Sequence, residues 1–245
     1  MRPQTRQKLL EINRLFYERS AATFSATRRK VQPGVARLLK TLPSRADILD
    51  LGCGNGNFAI ALAKSAWSGV YLGIDASEAL IADARAELER VRPGGSFSFL
   101  TGDLSSENWP SRIPLQNFPI ITCFAALHHF PDKNYRAALF QRTTGLLAPE
   151  GQLLLSVWQL FNDPRMSAHV LPWNAVEIDE GDLETGDYLI DWRAGGHIDQ
   201  RYVHVFTPEE LRALGFAAGL ELQDEFSSDG KSGKLALYQI WRKPA

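Results

Sequence analysis

The fold is decided by residues 48–58, which read Ile-Leu-Asp-Leu-Gly-Cys-Gly-Asn-Gly-Asn-Phe. Apolar residues lead to an acid, Asp50, three glycines then alternate with small residues, and an alanine-rich stretch follows. This pattern predicts a buried strand, a sharp turn and the N-terminus of a helix, the opening of a nucleotide-binding α/β unit. Glycine suits the turn because a positive φ carries no penalty and the missing Cβ lets a ligand lie against the backbone.

The spacing of these glycines indicates the kind of ligand. A dinucleotide-binding turn needs G-x-G-x-x-G, whereas this one reads G-x-G-x-G with Asn57 in the sixth position. Asp50 at the mouth of the turn would repel a phosphate but suits a cation, which disfavours an NAD-dependent oxidoreductase. The combination resembles motif I of the class I S-adenosylmethionine (SAM) methyltransferases, whose cofactor is a sulfonium with an amino-acid tail.

Length and composition favour one globular domain over residues 1–245, with 44% hydrophobic residues. No apolar run approaches the roughly 20 residues that span a bilayer, and the polar N-terminus predicts no signal peptide. Cys53 and Cys123 fall in predicted core elements. They form neither a disulfide framework nor a metal site, so we expect no metal and a reducing, cytoplasmic location.

Charge is distributed unevenly. Residues 1–40 contain ten Lys or Arg and two Glu, a net charge of +8, which leaves the remainder at −9 because the whole chain is −1. This basic helical arm, residues 1–42, either binds a phosphate-bearing partner or is a solvated helix face. Within it the pattern predicts a helix over about 5–22, a polar loop over 24–29 and a second helix over 33–42.

Predicted strands and helices alternate along most of the chain, which is typical of a doubly wound, mostly parallel sheet. Together with the resemblance, this predicts a seven-stranded Rossmann-like methyltransferase fold that ends in an antiparallel hairpin. Residues 159–200 break the alternation and carry an acidic run, so we expect a lid or a substrate-binding insertion there. After the first strand, the predicted strands are 70–74, 96–100, 119–124, 152–158, 220–226 and 234–241.

Polar residues follow the first four predicted strands, and ligands of such sheets bind at the carboxyl ends of the strands. By resemblance to the class I family, Asp50 faces the cofactor ammonium, Asp75 accepts hydrogen bonds from the ribose hydroxyls, and Asp103 accepts from the adenine amino group. The cofactor-binding residues predicted in this way are Asp50, Gly52, Gly54, Gly56, Asp75, Ala76, Asp103, Leu104 and Ala125.

Two adjacent histidines, His128 and His129, follow the fourth predicted strand. The transferred methyl should project there, so we expect at least one of them to line the cleft, and His128 is a candidate catalytic residue. A general base must reach its proton and have a pKa near the working pH. The alternative is that either histidine caps the next helix or packs under the sheet.

A narrower resemblance covers most of the chain. Six stretches resemble the methyltransferases that esterify carboxymethyl groups on the wobble uridine of tRNA. They are Phe24-Ser25-Ala26-Thr27-Arg28, residues 52–57, His128-His129, Val157-Trp158, Leu171-Pro172-Trp173 and the run Arg-Tyr-Val-His-Val-Phe at 201–206. A carboxylate is already a nucleophile and needs cations to hold it. The resemblance makes Arg28, Arg201 and His204 the candidates. Eukaryotic members of this family work with a small zinc-binding partner, so it also raises an accessory subunit.

Three functional hypotheses follow. The first is a SAM-dependent methyltransferase of tRNA carboxymethyluridine. The second keeps the enzyme and the cofactor but makes the acceptor a small carboxylic acid or another metabolite, which the near-neutral net charge allows. The third is a SAM-binding subunit without turnover.

Overall fold

The computed structural model describes residues 1–27, 30–91, 93–194 and 197–245. In chain order its elements are α1 (Pro3–Thr27), α2 (Pro33–Leu39), β1 (Ile48–Leu51), α3 (Asn57–Ala63), β2 (Val70–Asp75), α4 (Glu78–Glu89), β3 (Ser96–Thr101), β4 (Phe118–Phe124), α5 (Lys133–Leu146), β5 (Leu147–Trp158), α6 (Pro164–Ser167), β6 (Val170–Leu171), β7 (Asp187–Ala194), β8 (His197–His204), α7 (Pro208–Ala217), β9 (Glu221–Ser228) and β10 (Ala236–Arg242).

Seven strands form the main sheet in the order β3-β2-β1-β4-β5-β10-β9. The first five are parallel, whereas β10 runs antiparallel to both β5 and β9. This confirms the predicted fold class, including the closing antiparallel hairpin. The strand order reverses beside β1, so the carboxyl ends of β1 and β4 flank the crevice where ligands of open α/β sheets bind.

The core occupies both faces of the sheet because side chains alternate along each strand. Leu49 and Leu51 pack on one face with residues of α5 and α7, such as Phe140 and Leu211. Ile48 packs on the opposite face with residues of α2, α3 and α4. All four residues of β1 are buried, so the strand that carries Asp50 is fixed from both sides.

Two segments differ from the sequence-based expectation. Helix α1 continues to Thr27, through part of the predicted loop, because polar side chains near its end have partners: Ser20 bonds Asp199 and Ser25 bonds Asp83. The segment expected as a lid or insertion contributes to a second, antiparallel sheet, β6-β7-β8, which extends to His204. Whether it acts as a lid stays a prediction.

Within the described ranges, no helix is both long enough and apolar enough to cross a bilayer.

Candidate active site

A cavity of about 720 Å³ opens at the carboxyl ends of the parallel strands. Helix α1 forms its opposite wall. Eight of the nine residues predicted to bind the cofactor line this cleft: Asp50, Gly52, Gly54, Asp75, Ala76, Asp103, Leu104 and Ala125. The strand ends and the resemblance to the class I family therefore point to residues that line one end of this cleft.

The glycine turn uses its residues differently. Gly52, Gly54 and Gly56 all have positive φ. A Cβ on Gly54 would meet no heavy atom within 4 Å, whereas a Cβ on Gly56 would lie 2.8 Å from the Cβ of Ala84 in α4. Gly54 thus keeps the cleft open for a ligand, and Gly56 lets α3 and α4 pack closely. This packing role explains why Gly56 is the one predicted residue absent from the wall of the cleft.

Asp75 at the end of β2 is held by the main chain. Its two carboxylate oxygens accept hydrogen bonds from the N–H of Gly54 and the N–H of Ser77, both at 2.9 Å. Burial raises the pKa of Asp75, and the backbone donors partly oppose that shift. The carboxylate therefore has a fixed orientation at the edge of the glycine turn, which suits bidentate recognition of two hydroxyls.

Asp50 is buried beneath the same turn. Its oxygens accept hydrogen bonds of 2.6 Å from the hydroxyls of Tyr71 and Thr122 on the flanking strands. Burial raises the pKa of Asp50 to about 6, the two hydroxyls lower it, and the charge of Asp75 adds to the rise. The two acids thus create a negative potential in a desolvated cleft.

Asp103, after β3, is more exposed. It accepts hydrogen bonds from the N–H and the hydroxyl of Ser105, at 2.8 and 2.7 Å. Leu104 beside it is buried and lines the cleft. An acceptor next to an apolar side chain is a suitable contact for a purine edge and face.

These residues fit SAM. In the part of the chain that the structure describes, no Lys or Arg lies within ion-pair distance of Asp50 or Asp75, so a cationic ligand would lower the cost of burying them. Asp50 would hold the ammonium, Asp75 the ribose hydroxyls and Asp103 the adenine amino group. When bound, SAM supplies an activated methyl group on a positively charged sulfur.

His129 lines the acceptor side of the cleft with Tyr17 and Trp158. Its Nδ1 lies 3.1 Å from the main-chain oxygen of Tyr202, and its Nε2 lies 2.8 Å from the Tyr17 hydroxyl. A carbonyl can only accept, so in the neutral imidazole Nδ1 carries the proton and Tyr17 donates to Nε2. His129 is therefore the histidine placed for contact with an acceptor.

His128 turns away from the cleft although it is adjacent in sequence. It is fully buried, stacks on Trp158 at 4.6 Å between ring centroids, and its Nδ1 accepts from the Trp158 N–H at 3.4 Å. The structure therefore packs His128 in the interior against Trp158, and it does not line the cleft.

Arg201 and His204 point to opposite sides of β8. Arg201 is fully buried behind Trp158, with its guanidinium carbon 4.5 Å from the Phe16 ring centroid and 4.8 Å from that of Trp158. His204 contacts the carboxylates of Asp187 and Glu210 at 2.8 and 2.9 Å instead. Residues three apart in a strand face opposite ways, so the structure does not bring these two together. Arg28, the third predicted cation, lies outside the described residues.

His204 belongs to a buried ion network. Glu184 and Asp187 lie close enough to His204 to share a ligand, but the guanidinium of Arg136 already lies 2.6 Å from Glu184 and 3.2 Å from Glu210. Burial lowers the pKa of His204, whereas its bonds to Asp187 and Glu210 raise it and prevail. This cluster joins α5, α7 and the small sheet, which is a structural role.

Part of the charge on the basic arm is used within the chain. Arg2 lies 3.1 Å from Asp182 of the acidic run, and Arg6 lies 3.4 Å from Asp132. Both carboxylates are largely buried, although the Arg2 side chain is exposed. The acidic run and the arm therefore face each other, and binding of a phosphate-bearing partner by the remaining arm residues stays a prediction.

Comparison with known proteins agrees with this geometry. A family model described as "Methyltransferase domain" matches residues 24–225. A SAM-dependent methyltransferase structure from Methanosarcina mazei has a TM-score of 0.64 at 20% identity, covering 88% of this chain and 99% of that one. The DhpI–SAH complex, SAH being S-adenosylhomocysteine, has a TM-score of 0.64 at 18% identity, with 97% and 98% covered.

Relatives of known activity differ in their acceptors. The chain is 31% identical over 146 residues to a tRNA (carboxymethyluridine(34)-5-O)-methyltransferase of Mus musculus, covering 59% of this chain but only 19% of that protein. The Schizosaccharomyces pombe enzyme of the same name is 28% identical, with 83% of this chain and 86% of that one covered. A ubiquinone biosynthesis O-methyltransferase of Pseudomonas aeruginosa is 29% identical, with 72% and 65% covered.

The fold of the chain is similar to that of a SAM-dependent methyltransferase structure. The chain belongs to the methyltransferase domain family. The predictions of methyl transfer and of SAM as the cofactor are thereby confirmed.

Proposed function

We propose that this methyltransferase esterifies a carboxylate, and that its acceptor is the carboxymethyl group on the wobble uridine of tRNA. The observation that carries the proposal is the state of Arg201. Its side chain is fully buried, and no carboxylate among the described residues forms an ion pair with it. Its Nε and Nη1 also have no hydrogen-bond partner there.

An unneutralised buried guanidinium is costly. Removing a charge from water costs several kcal/mol unless an opposite charge compensates it. Phe16, Trp158 and Trp192 surround Arg201 at 4.5, 4.8 and 5.3 Å, and cation–π contacts offset about 0.5–2 kcal/mol each. An anion in the adjoining cleft would add the missing compensation, which favours a negatively charged acceptor.

A carboxylate acceptor also fits the chemistry of the cleft. An ionised carboxylate oxygen is a nucleophile without loss of a proton, so the chain needs to hold and orient it rather than deprotonate it. Placing the nucleophile in line with the activated methyl can supply roughly 7–11 kcal/mol through proximity and orientation. Arg28, predicted from the resemblance, would provide a second cation.

The specific acceptor rests on the relatives. The Mus musculus, Schizosaccharomyces pombe and Saccharomyces cerevisiae proteins that match this chain are named as tRNA carboxymethyluridine methyltransferases. This chain spans only part of the mouse and Saccharomyces proteins, 19% and 51%, so a tRNA partner and an accessory subunit are proposals carried over from them.

A second candidate acceptor is a hydroxyl group on a small metabolite. The Pseudomonas aeruginosa relative is named as an O-methyltransferase. In this chain, the lone pair of His129 Nε2 lies at the cleft, where it accepts from Tyr17. A hydroxyl acceptor would need such a base, whereas a carboxylate would not.

The experiment is incubation with methyl-labelled SAM and, in parallel, total tRNA or a metabolite extract, followed by mass spectrometry of the labelled product. We expect label on a methoxycarbonylmethyl uridine from the wobble position. Label only on a small molecule would support the second candidate, and label in neither pool would contradict both acceptors.

Two companion measurements separate the RNA acceptor from the others. Binding of tRNA should weaken steeply with salt because phosphate contacts release counterions. Arg28→Ala should lose activity while keeping its affinity for SAH. Turnover on a small acid that does not change with salt would contradict the RNA proposal.

A further inference from the structure

The Tyr17 side chain lies between the guanidinium of Arg201 and the cleft. Arg201 does not itself line the cleft, whereas Tyr17 and Trp158, which contact it, do. Burial lowers the pKa of Arg201, and a hydrogen bond to the Tyr17 hydroxyl opposes the shift. The Tyr17 oxygen therefore accepts an N–H from a buried cation.

The Tyr17 hydroxyl has a second contact, with His129, that determines where its proton points. Tyr17 donates to Nε2 of His129 at 2.8 Å, because Nδ1 of the neutral ring donates to the main-chain oxygen of Tyr202. Asn13 holds this arrangement together. Its Oδ1 accepts from the Tyr202 N–H at 2.8 Å, and its Nδ2 donates to the His129 carbonyl at 3.2 Å.

We infer that Tyr17 is a specificity-determining residue of the acceptor site, and that its hydroxyl moves its hydrogen bond from His129 to the carboxylate of the acceptor. The inference rests on the proposed carboxylate acceptor and goes further by assigning the side chain that binds the charged carboxylate. Arg201, His129 and Asn13 are positioning residues that act through this hydroxyl.

Three physical effects favour the move of the Tyr17 hydrogen bond from His129 to the acceptor carboxylate. A hydrogen bond to an ionised oxygen is roughly twice as strong as one to a neutral acceptor such as imidazole. Donation from Arg201 polarises the Tyr17 hydroxyl and strengthens it as a donor. The low dielectric of the site also lets the guanidinium charge act across the single layer of side chains that separates it from the cleft.

The same contact distinguishes substrate from product. One carboxylate oxygen attacks the methyl carbon while the other accepts from Tyr17, and the carbon–sulfur bond of the cofactor breaks with its electron pair going to sulfur. No proton is transferred. The resulting ester is neutral, so Tyr17 returns to His129 and the ester loses the charge-dependent part of its binding.

The test compares two RNAs that differ in one group. Anticodon stem-loops carrying 5-carboxymethyluridine or its neutral amide, 5-carbamoylmethyluridine, bind to the SAH-loaded protein, and calorimetry gives the ratio of the two affinities. Phosphate contacts are the same in both RNAs and cancel in this ratio. The variants are Tyr17→Phe and the control Tyr135→Phe, another tyrosine of the cleft wall, whose ring lies under the guanidinium of Arg6.

We expect the wild-type chain to prefer the carboxylate RNA by about tenfold or more, the difference between charged and neutral hydrogen bonds. Tyr17→Phe should reduce this ratio to near one with SAH affinity unchanged, and Tyr135→Phe should retain it. A Tyr17→Phe variant that keeps the ratio, or a wild-type ratio near one, would overturn the inference.

A measurement on the wild-type chain covers the case in which the variant does not fold. The Nε2 chemical shift of His129 should change when the carboxylate RNA binds, because that nitrogen loses its hydrogen bond from Tyr17, and should change little with the amide RNA. Equal shifts would overturn the inference. Formation of the labelled ester on tRNA is scored separately, so a chain that esterifies tRNA without a Tyr17 effect fails this inference alone.

Discussion

Tyr71 donates a 2.6 Å hydrogen bond to Asp50 beneath the glycine turn, and the pair is buried. Burial raises the pKa of the Asp50 carboxyl to about 6 despite this bond and the one from Thr122. We predict that Asp50 faces the cofactor ammonium, and its carboxyl has a pKa just below neutral. Cofactor affinity should therefore depend on pH in a way that reports Asp50 directly.

Binding of SAH should strengthen as the pH rises through about 6. The cofactor ammonium is attracted only by the ionised form of Asp50, which is depleted below that pH. Calorimetry from about pH 5 to pH 7 measures the effect, because the cofactor ammonium stays charged throughout this range. Asp50→Asn should bind SAH weakly with a flatter profile. An equal slope in the variant would show that another group is responsible.

Alanine at either of two glycines of the same turn should affect a different property, cofactor affinity in one case and stability in the other. Both have positive φ, which costs an L-residue roughly 1–2 kcal/mol. Gly54→Ala adds a methyl group that meets nothing within 4 Å, whereas Gly56→Ala also forces a contact of 2.8 Å with Ala84. We expect Gly54→Ala chiefly to weaken SAH binding, and Gly56→Ala to lower the free energy of unfolding by about 3 kcal/mol or more.

Urea denaturation and calorimetry on both variants check this pair. Equal losses of stability would contradict the assignment of Gly56 to helix packing. Unchanged SAH affinity in Gly54→Ala would contradict the assignment of Gly54 to the cofactor wall.

The charge of His204 should stabilise the chain most at mildly acidic to neutral pH, where its partner Glu210 is still ionised. The pKa of His204 is raised in the folded state. Its contribution is therefore complete below the unfolded value of about 6.5 and is lost as the pH rises through the folded value. His204→Ala should lower the free energy of unfolding by about 3 kcal/mol at pH near 6.5, because it leaves the buried carboxylate of Asp187 without its charged partner.

Urea denaturation at about pH 6.5 and pH 9 tests the direction in which the contribution of His204 to stability changes with pH. The loss caused by His204→Ala should be smaller at the higher pH. His169→Ala, which removes a half-exposed histidine beside Asp191, is the control and should cost less. A His204→Ala loss that grows with pH would contradict a charged His204.

The cofactor half of the site could be predicted because its signals are local. Residues 48–58 determine strand, turn and helix within one short stretch, and parallel topology then gathers Asp50, Asp75 and Asp103 at one edge. The exception is Gly56, whose position depends on Ala84 in α4. No feature within the turn distinguishes a glycine needed by the ligand from one needed by a neighbouring helix.

The acceptor half depends on contacts between distant parts of the chain. His128 and His129 lie on one 3-10 turn. Contacts with distant residues, such as Trp158 for His128 and Tyr17 for His129, accompany their different placements. The family resemblance at residues 201–206 grouped Arg201 with His204, and no strand was predicted there. Had a strand been assigned, the spacing of three would have placed the two side chains on opposite faces.

The most direct test of the account is the chemical stability of the transferred methyl group. After transfer from methyl-labelled SAM, the purified product is treated with mild alkali, and volatile label is measured as methanol. A carboxylate acceptor held near Arg201 predicts that nearly all the label is released, because a methyl ester hydrolyses under these conditions. Label that stays on the acceptor, as an ether or an amine would retain it, would contradict the account.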